Sequence, residues 1–230
     1  LFSLVSVFNF FKLVYIGQKE AEKFIEENNI DYVLSAWALP SGVVAYLASK
    51  KTKVKYGVWS LGSDLNKFVK IPVLRQLIMQ SIKTANNRFA NSYLLKDKMS
   101  QLSGKKVVFM PAITDFNTTN VKPKKLNSKN NILFVGRLEK VKGPDVLLNA
   151  VKLLEQSKVN FKLNILGSGS LEKELKNFVQ ENNLNKLVQF HGFADKNAVA
   201  SFMKSSVLFV VPTRSASMPL VSREAAHAEV

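Results

Sequence analysis

The chain has 230 residues, 47% hydrophobic, 10% aromatic and 22% charged, a makeup that buries a sizeable core and excludes disordered, collagen-like and coiled-coil chains. With no cysteine it has no disulfide framework, thiolate metal site or cysteine nucleophile, which agrees with a reducing compartment. The net charge of +16 is uneven: 50–106 carries 13 basic residues against only Asp64 and Asp97, a field that favours lipid head groups, nucleic acid or phosphates unless it is simply a solvated lysine-rich face.

The opening apolar stretch, 1–17, is interrupted by Asn9 and Lys12 and falls short of the roughly 20 residues a spanning helix needs. It has no basic leader and starts at Leu1 rather than a methionine, so the expectation is a piece of a longer protein. Short apolar runs then alternate with segments of helical period, the pattern of βαβ units and a parallel sheet. The first half reads as helix 4–27, strand 32–35, a helix opened by Pro40 and Ser41, strand 53–58, helix 72–83, strand 88–90, helix 92–102 and strand 106–110. The second half reads as strand 132–135, helix 144–154, strand 162–166, helix 171–182, strand 187–190, helix 197–204, strand 207–211 and a final helix from Pro219. Between them, 114–130 is rich in Asn, Thr, Lys and Pro without apolar periodicity, which places a boundary there. The domains so defined are 1–120 and 128–230.

In the second half, loops at the carboxyl ends of the expected strands carry the chemistry, where open α/β sheets bind ligands. Gly136-Arg137-Leu138-Glu139-Lys140-Val141-Lys142-Gly143 puts two cations on a turn that enters a helix at Pro144, suited to a diphosphate. Taken alone, Arg137 and Lys142 also read as surface charges. Gly167-Ser168-Gly169-Ser170 offers close backbone approach to a ligand, though in isolation a lone G-x-G reads first as a plain tight turn. In His191-Gly192-Phe193 the histidine reads as a structural hydrogen-bonder, since no second histidine or carboxylate at metal-ligand spacing supports zinc. The last loop, 212–225, runs from a strand into a helix, so Met218 to Val221 present backbone N–H groups and Glu224 follows about one turn later.

The order G-R-L-x-x-x-K-G, L-G-x-G, F-x-G and P-[ST]-R-x-x-x-x-P-L-V-x-x-E-A resembles the carboxy-terminal half of the family-four retaining glycosyltransferases, of GT-B fold. Ala38-Leu39-Pro40-Ser41-Gly42 and Leu61-Gly62-Ser63-Asp64-Leu65-Asn66 are similar to that family's A-L-P-S-G and H-G-S-D-L segments. The resemblance implies an α/β protein of two Rossmann-like domains, both incomplete in this chain. It implies that Arg137 and Lys142 hold the diphosphate of a nucleotide-sugar donor, and that Gly136, Gly167 and Gly169 line the nucleotide site. Phe193 would meet the base, Glu224 the ribose hydroxyls, and the Met218, Pro219, Leu220 and Val221 backbone the phosphate and sugar. Arg137, Lys142 and Glu224 would then form the catalytic set. The donor is a substrate rather than a cofactor, and the lack of any D-x-D agrees with transfer that uses no metal. The implied partners are a glycan or lipid-linked acceptor and an anionic membrane surface, with a cytoplasmic location peripheral to the inner face. Lys67, Lys70 and Arg75 are the candidates for the membrane-facing cations.

The sequence departs from the family pattern at several points. Ala216 stands where the first glutamate of the E-x7-E motif belongs, Leu61 and Ala36 stand at histidine positions, and Ala112 and Ile113 replace Asn and Gly of the hinge segment. The leading expectation is therefore a retaining sugar transferase. A non-catalytic nucleotide-sugar-binding or membrane-associated subunit is the alternative. A nucleic-acid binder is disfavoured because no recognised motif accompanies the charge.

Overall fold

The computed structural model describes residues 4–126, 130–157, 159–214 and 218–230, and every strand pair among them is parallel. They form two units, the first of 4–112 with Met218 and the second of the other described residues from Ile113 on.

The first unit opens with α1 (Leu4–Glu27), which buries Val14 and Ile25, eleven residues or three helical turns apart on one face. On the same helix Glu22 is 3% exposed and is held by Gln18 at 2.6 Å, Lys19 at 3.1 Å and, from α2 (Ser41–Thr52), Lys51 at 3.1 Å. A four-stranded sheet runs β1 (Tyr32–Ala36), β2 (Lys55–Ser60), β3 (Asn87–Ala90), β4 (Val108–Phe109), in that spatial order. Between the strands lie α3 (Ser63–Asn66), α4 (Pro72–Thr84) and α5 (Tyr93–Ser103), and Val43, Val58, Leu65, Ile78, Ile82, Leu95 and Met99 close the core. Ser92 caps α5 by accepting from Leu95 N at 3.2 Å, and Gly104 at φ 65° ends it. The carboxyl end of α4 is satisfied by Arg88, whose guanidinium donates to the carbonyls of Ile82 at 2.6 Å, Lys83 at 3.3 Å and Ala85. Asp64 is fully buried and accepts from Ser60 Oγ, Gly62 N, Leu65 N and Ala38 N at 2.9–3.0 Å, tying the turn after β1 to the turn after β2.

The second unit contains β5 (Asn131–Val135), α6 (Pro144–Gln156), β6 (Lys162–Leu166), α7 (Glu172–Glu181), β7 (Val188–Gly192), α8 (Lys196–Met203), β8 (Leu208–Phe209) and α9 (Leu220–His227). Its sheet order is β7-β6-β5-β8, which in chain order of the unit is 3-2-1-4, the order of a doubly wound nucleotide-binding half. Both faces of β5 and β6 carry buried apolar side chains because helices cover both. Phe134, Leu163, Ile165 and Val188 pack with Leu147, Leu148 and Val151 of α6 and Leu175 and Val179 of α7. Leu133 and Leu166, on the opposite face, pack with Phe116, Val199, Phe202, Met203 and Ala225.

Several expectations are corrected. Lys53, at φ 63°, terminates α2 in the left-handed region, so the strand expected from 53 begins at Lys55. The strands expected over 106–110 and 207–211 shorten to two residues each, and each pairs with a single neighbour. His191 and Gly192 belong to β7 rather than to the loop after it, and His191 Nε2 lies 2.9 Å from Asn164 Oδ1. The residues 114–126, which fall in the boundary stretch read from sequence, lie on the second unit. There Phe116 is buried, Lys124 N donates to Ser201 O at 3.0 Å, and Ser201 and Ser205 hydroxyls donate to the carbonyls of Lys122 and Lys124.

Candidate functional site

A 3-2-1-4 sheet reverses its strand order between β5 and β8, and ligands of such folds bind outside the carboxyl ends of the strands at that reversal. The loops after β5 and β8 flank this point in the second unit, and most of the residues singled out by sequence meet there.

The loop after β5 is shaped by its backbone. Gly136 N donates to Leu166 O at 3.0 Å and Leu138 N to Ser168 O at 2.9 Å, with the Leu138 side chain fully buried as an anchor. A tight turn over Lys140–Lys142 then delivers the chain to Gly143, whose φ of 72° favours glycine, and Pro144 starts α6. A side chain on Gly143 would also strike the Pro212 carbonyl. Lys142 emerges half-buried. Burial, then the neighbouring Arg137, pushes its ammonium below the ordinary lysine value, and among the described residues no carboxylate lies within ion-pair distance of it. Arg137 is exposed.

The loop after β6 packs on the first loop. Gly167, at φ 138°, lies so close to Gly136 that an added Cβ would collide with its carbonyl, and a Cβ on Gly169 would lie 2.5 Å from Leu138 O. Glu139 bridges the same two loops, accepting from Ser170 N at 3.1 Å and Ser170 Oγ at 2.9 Å. Those two hydrogen bonds hold its carboxyl below the usual range. After β7, Phe193 stands 85% exposed, and Asp195 caps α8 through Ala198 N at 2.7 Å. Beyond β8, α9 starts after Pro219, and Glu224 Oε1 accepts from Thr114 Oγ1 at 3.1 Å. Phe116 N donates to the same Thr114 hydroxyl at 3.2 Å, which orients it toward Glu224.

Gly136, Lys142, Pro219, Leu220, Val221 and Glu224 thus line one pocket of about 300 Å³. Gly136, Arg137, Gly167 and Phe193 line a second of about 180 Å³. The two adjoin through Val135, Gly136, Ala194 and Val199. Gly169 lines neither and is turned against Leu138. Ala216, the position of the absent glutamate, lies outside the described residues. Sequence reasoning missed Phe116, Lys196 and Thr114, which approach from segments remote in sequence. Lys196 is itself paired with Asp115 at 2.6 Å. Arg214 was visible in the motif but had no role. A larger cavity of about 640 Å³ opens beside Asn131, Lys162 and Val188, the first residues of β5, β6 and β7, and holds none of the expected site residues.

Among the described residues no three His, Asp or Glu side chains gather as metal ligands, and no helix is long and apolar enough to cross a membrane.

Comparison with known proteins gives the family. An uncharacterized glycosyltransferase of Methanocaldococcus jannaschii is 27% identical over 208 residues, 90% of this chain and 56% of that protein. An amylovoran biosynthesis glycosyltransferase of Erwinia amylovora is 25% identical over 205 residues, 84% of this chain and 49% of that one. The chain thus spans about half the length of these curated relatives. Among solved structures, sucrose-phosphate synthase from Thermosynechococcus elongatus aligns with a TM-score of 0.76 at 17% identity, over 95% of this chain and 59% of that one. HepE of Anabaena, solved with UDP-glucose, aligns with a TM-score of 0.71 at 16% identity, over 90% and 60%. These likenesses show the fold, the α/β parallel-sheet architecture of GT-B glycosyltransferases. The model of the family "Glycosyl transferases group 1" matches residues 115–230, which hold every residue of the two adjoining pockets, and the chain belongs to that family.

Proposed function

We propose that this chain binds the nucleoside-diphosphate sugar of a retaining transferase and helps move a hexose to a glycan or lipid-linked acceptor. The observation that carries the reading is the pocket at the strand reversal, where Lys142, the first turn of α9 and Glu224 converge. A diphosphate seated there supplies the counter-charge that half-buried Lys142 lacks, and Arg137 lies on the adjoining wall. As the bond from the sugar's anomeric carbon to the phosphate oxygen breaks, negative charge grows on the diphosphate. Fixed cations and the N–H groups opening α9 stabilise that charge more than the ground state. Glu224, aligned by Thr114, keeps acceptor capacity for ribose hydroxyls, and exposed Phe193 offers a face to the base. HepE, of the same fold, was solved with UDP-glucose, which supports a nucleotide-sugar donor here. The relative named for amylovoran biosynthesis supports a polysaccharide acceptor. The basic first unit is the face we assign to an anionic membrane, from the cytoplasmic side.

A second reading, donor binding without turnover, is favoured by Leu61, Ala36 and Ala216 at the family's histidine and glutamate positions. NMR of the chain with UDP-, GDP- and ADP-glucose distinguishes the two. Release of nucleoside diphosphate with an α-configured product, abolished by Lys142→Ala, supports transfer. Binding without release supports the second reading, and neither event overturns both.

A further inference from the structure

Arg214 is the one charged residue between β8 and α9, and both terminal nitrogens of its guanidinium are engaged. Its two terminal nitrogens meet Asp145 Oδ1 and Oδ2 at 2.8 Å each, and one also donates to Lys140 O at 2.5 Å. Arg214 N donates to Val141 O at 2.8 Å, and Thr213 Oγ1 to the same carbonyl at 3.1 Å. The loop segment 212–214 is thereby laced across the turn 140–143, and Gly143 is packed under the Pro212 carbonyl. Asp145 sits in the first turn of α6, three residues after Lys142. A carboxylate in a first helical turn suits the helix dipole, but it also opposes any anion brought to that end of the helix. Fork-to-fork pairing with Arg214 removes that opposition while fixing the turn that carries Lys142.

We infer that Arg214 is a positioning residue for the donor's diphosphate, acting by neutralising Asp145 and by holding the Lys140–Lys142 turn in place. This rests on the donor reading above. It makes a directional prediction that a purely structural role does not: the damage from losing Arg214 is relieved by also removing the charge of Asp145.

The experiment is calorimetric titration of UDP, GDP and ADP, and of the matching nucleosides without phosphate, against the wild-type chain and its variants. Arg214→Ala weakens the nucleoside diphosphate by roughly tenfold to a hundredfold, the scale of charged hydrogen bonds, and leaves the bare nucleoside within about threefold. Arg214→Ala/Asp145→Asn recovers most of the loss, and Arg214→Lys, which keeps the charge but not the fork, falls between. Asp145→Asn alone weakens the diphosphate less than Arg214→Ala and serves if the alanine variant does not fold. Equal losses for nucleoside and nucleoside diphosphate, or a double variant as weak as Arg214→Ala, overturn the inference and leave the donor reading standing. A wild-type chain that binds no nucleoside diphosphate overturns both.

Discussion

Replacing Gly169 with alanine tests whether the two loops beneath the pockets are locked as described. A Cβ at this position lies 2.5 Å from Leu138 O and 2.7 Å from both Leu138 C and Leu138 N, where ordinary contact begins at 3.4 Å. The backbone must therefore separate by close to 1 Å, and no flexible side chain is available to yield. The closure is stitched by Leu138 N to Ser168 O at 2.9 Å and Leu171 N to Leu138 O at 3.0 Å, so that displacement breaks or stretches both hydrogen bonds. At about 1 kcal/mol each, with a further 1–2 kcal/mol for overpacking, Gly169→Ala costs about 3–4 kcal/mol. Gly104→Ala is the control. Nothing lies within 4 Å of its Cβ, and only its φ of 65° opposes a side chain, at about 1 kcal/mol. Urea denaturation followed by far-ultraviolet circular dichroism is the assay, because both tryptophans, Trp37 and Trp59, belong to the first unit and their fluorescence does not report on the second. Gly169→Ala no more harmful than Gly104→Ala refutes the loop closure.

Three further outcomes follow from the first unit. Glu22 has its carboxyl lowered from 4.5 to about 2, chiefly by the Gln18 hydrogen bond and then by Lys51 and Lys19, so its contribution is present above pH 4.5 and is lost as pH falls toward 2. Thermal melts from pH 7 to pH 2.5 should therefore show a smaller acid-induced drop for Glu22→Gln than for wild type, and parallel curves would contradict the assignment. Arg88→Met strands the carbonyls of Ile82, Lys83 and Ala85 at the end of α4 and should lower stability by about 3 kcal/mol in tryptophan-monitored urea titrations. Lys67, Lys70 and Arg75 are exposed beside exposed Val73, and sedimentation with anionic vesicles should show binding that fades with salt. Binding to duplex DNA but not to vesicles would overturn the membrane assignment.

Long periodic segments were legible in the sequence: the helix over 4–27 and the strand over 162–166 are found with those bounds, because burial on one face or both repeats along them. What local pattern could not encode came from tertiary contacts. The single turn α3 is organised by buried Asp64, which gathers donors from the turn after β1 as well as its own. His191 extends β7 because Asn164 of the neighbouring strand receives it, a pairing invisible along the chain. At the candidate site, glycine and charge marked the right loops, since close backbone approach and strand-to-helix turns leave a local trace. Thr114, Phe116 and Lys196 left none. Thr114 reaches Glu224 across 110 positions, and Arg214 finds Asp145 across 69, separations that only the doubly wound topology closes. Gly169 was legible as special, but its reason is the Leu138 backbone beneath it.

The central claim is that a nucleoside diphosphate occupies the carboxyl end of the second sheet at the β5–β8 reversal. Hydrogen–deuterium exchange with and without saturating UDP, GDP or ADP locates the occupant directly. The account predicts slowed exchange in 136–143 and 219–224, with a smaller effect around 167–169, and none of it in a Lys142→Ala chain at the same nucleotide concentration. Protection confined to other segments, or identical protection in the Lys142→Ala chain, would contradict it.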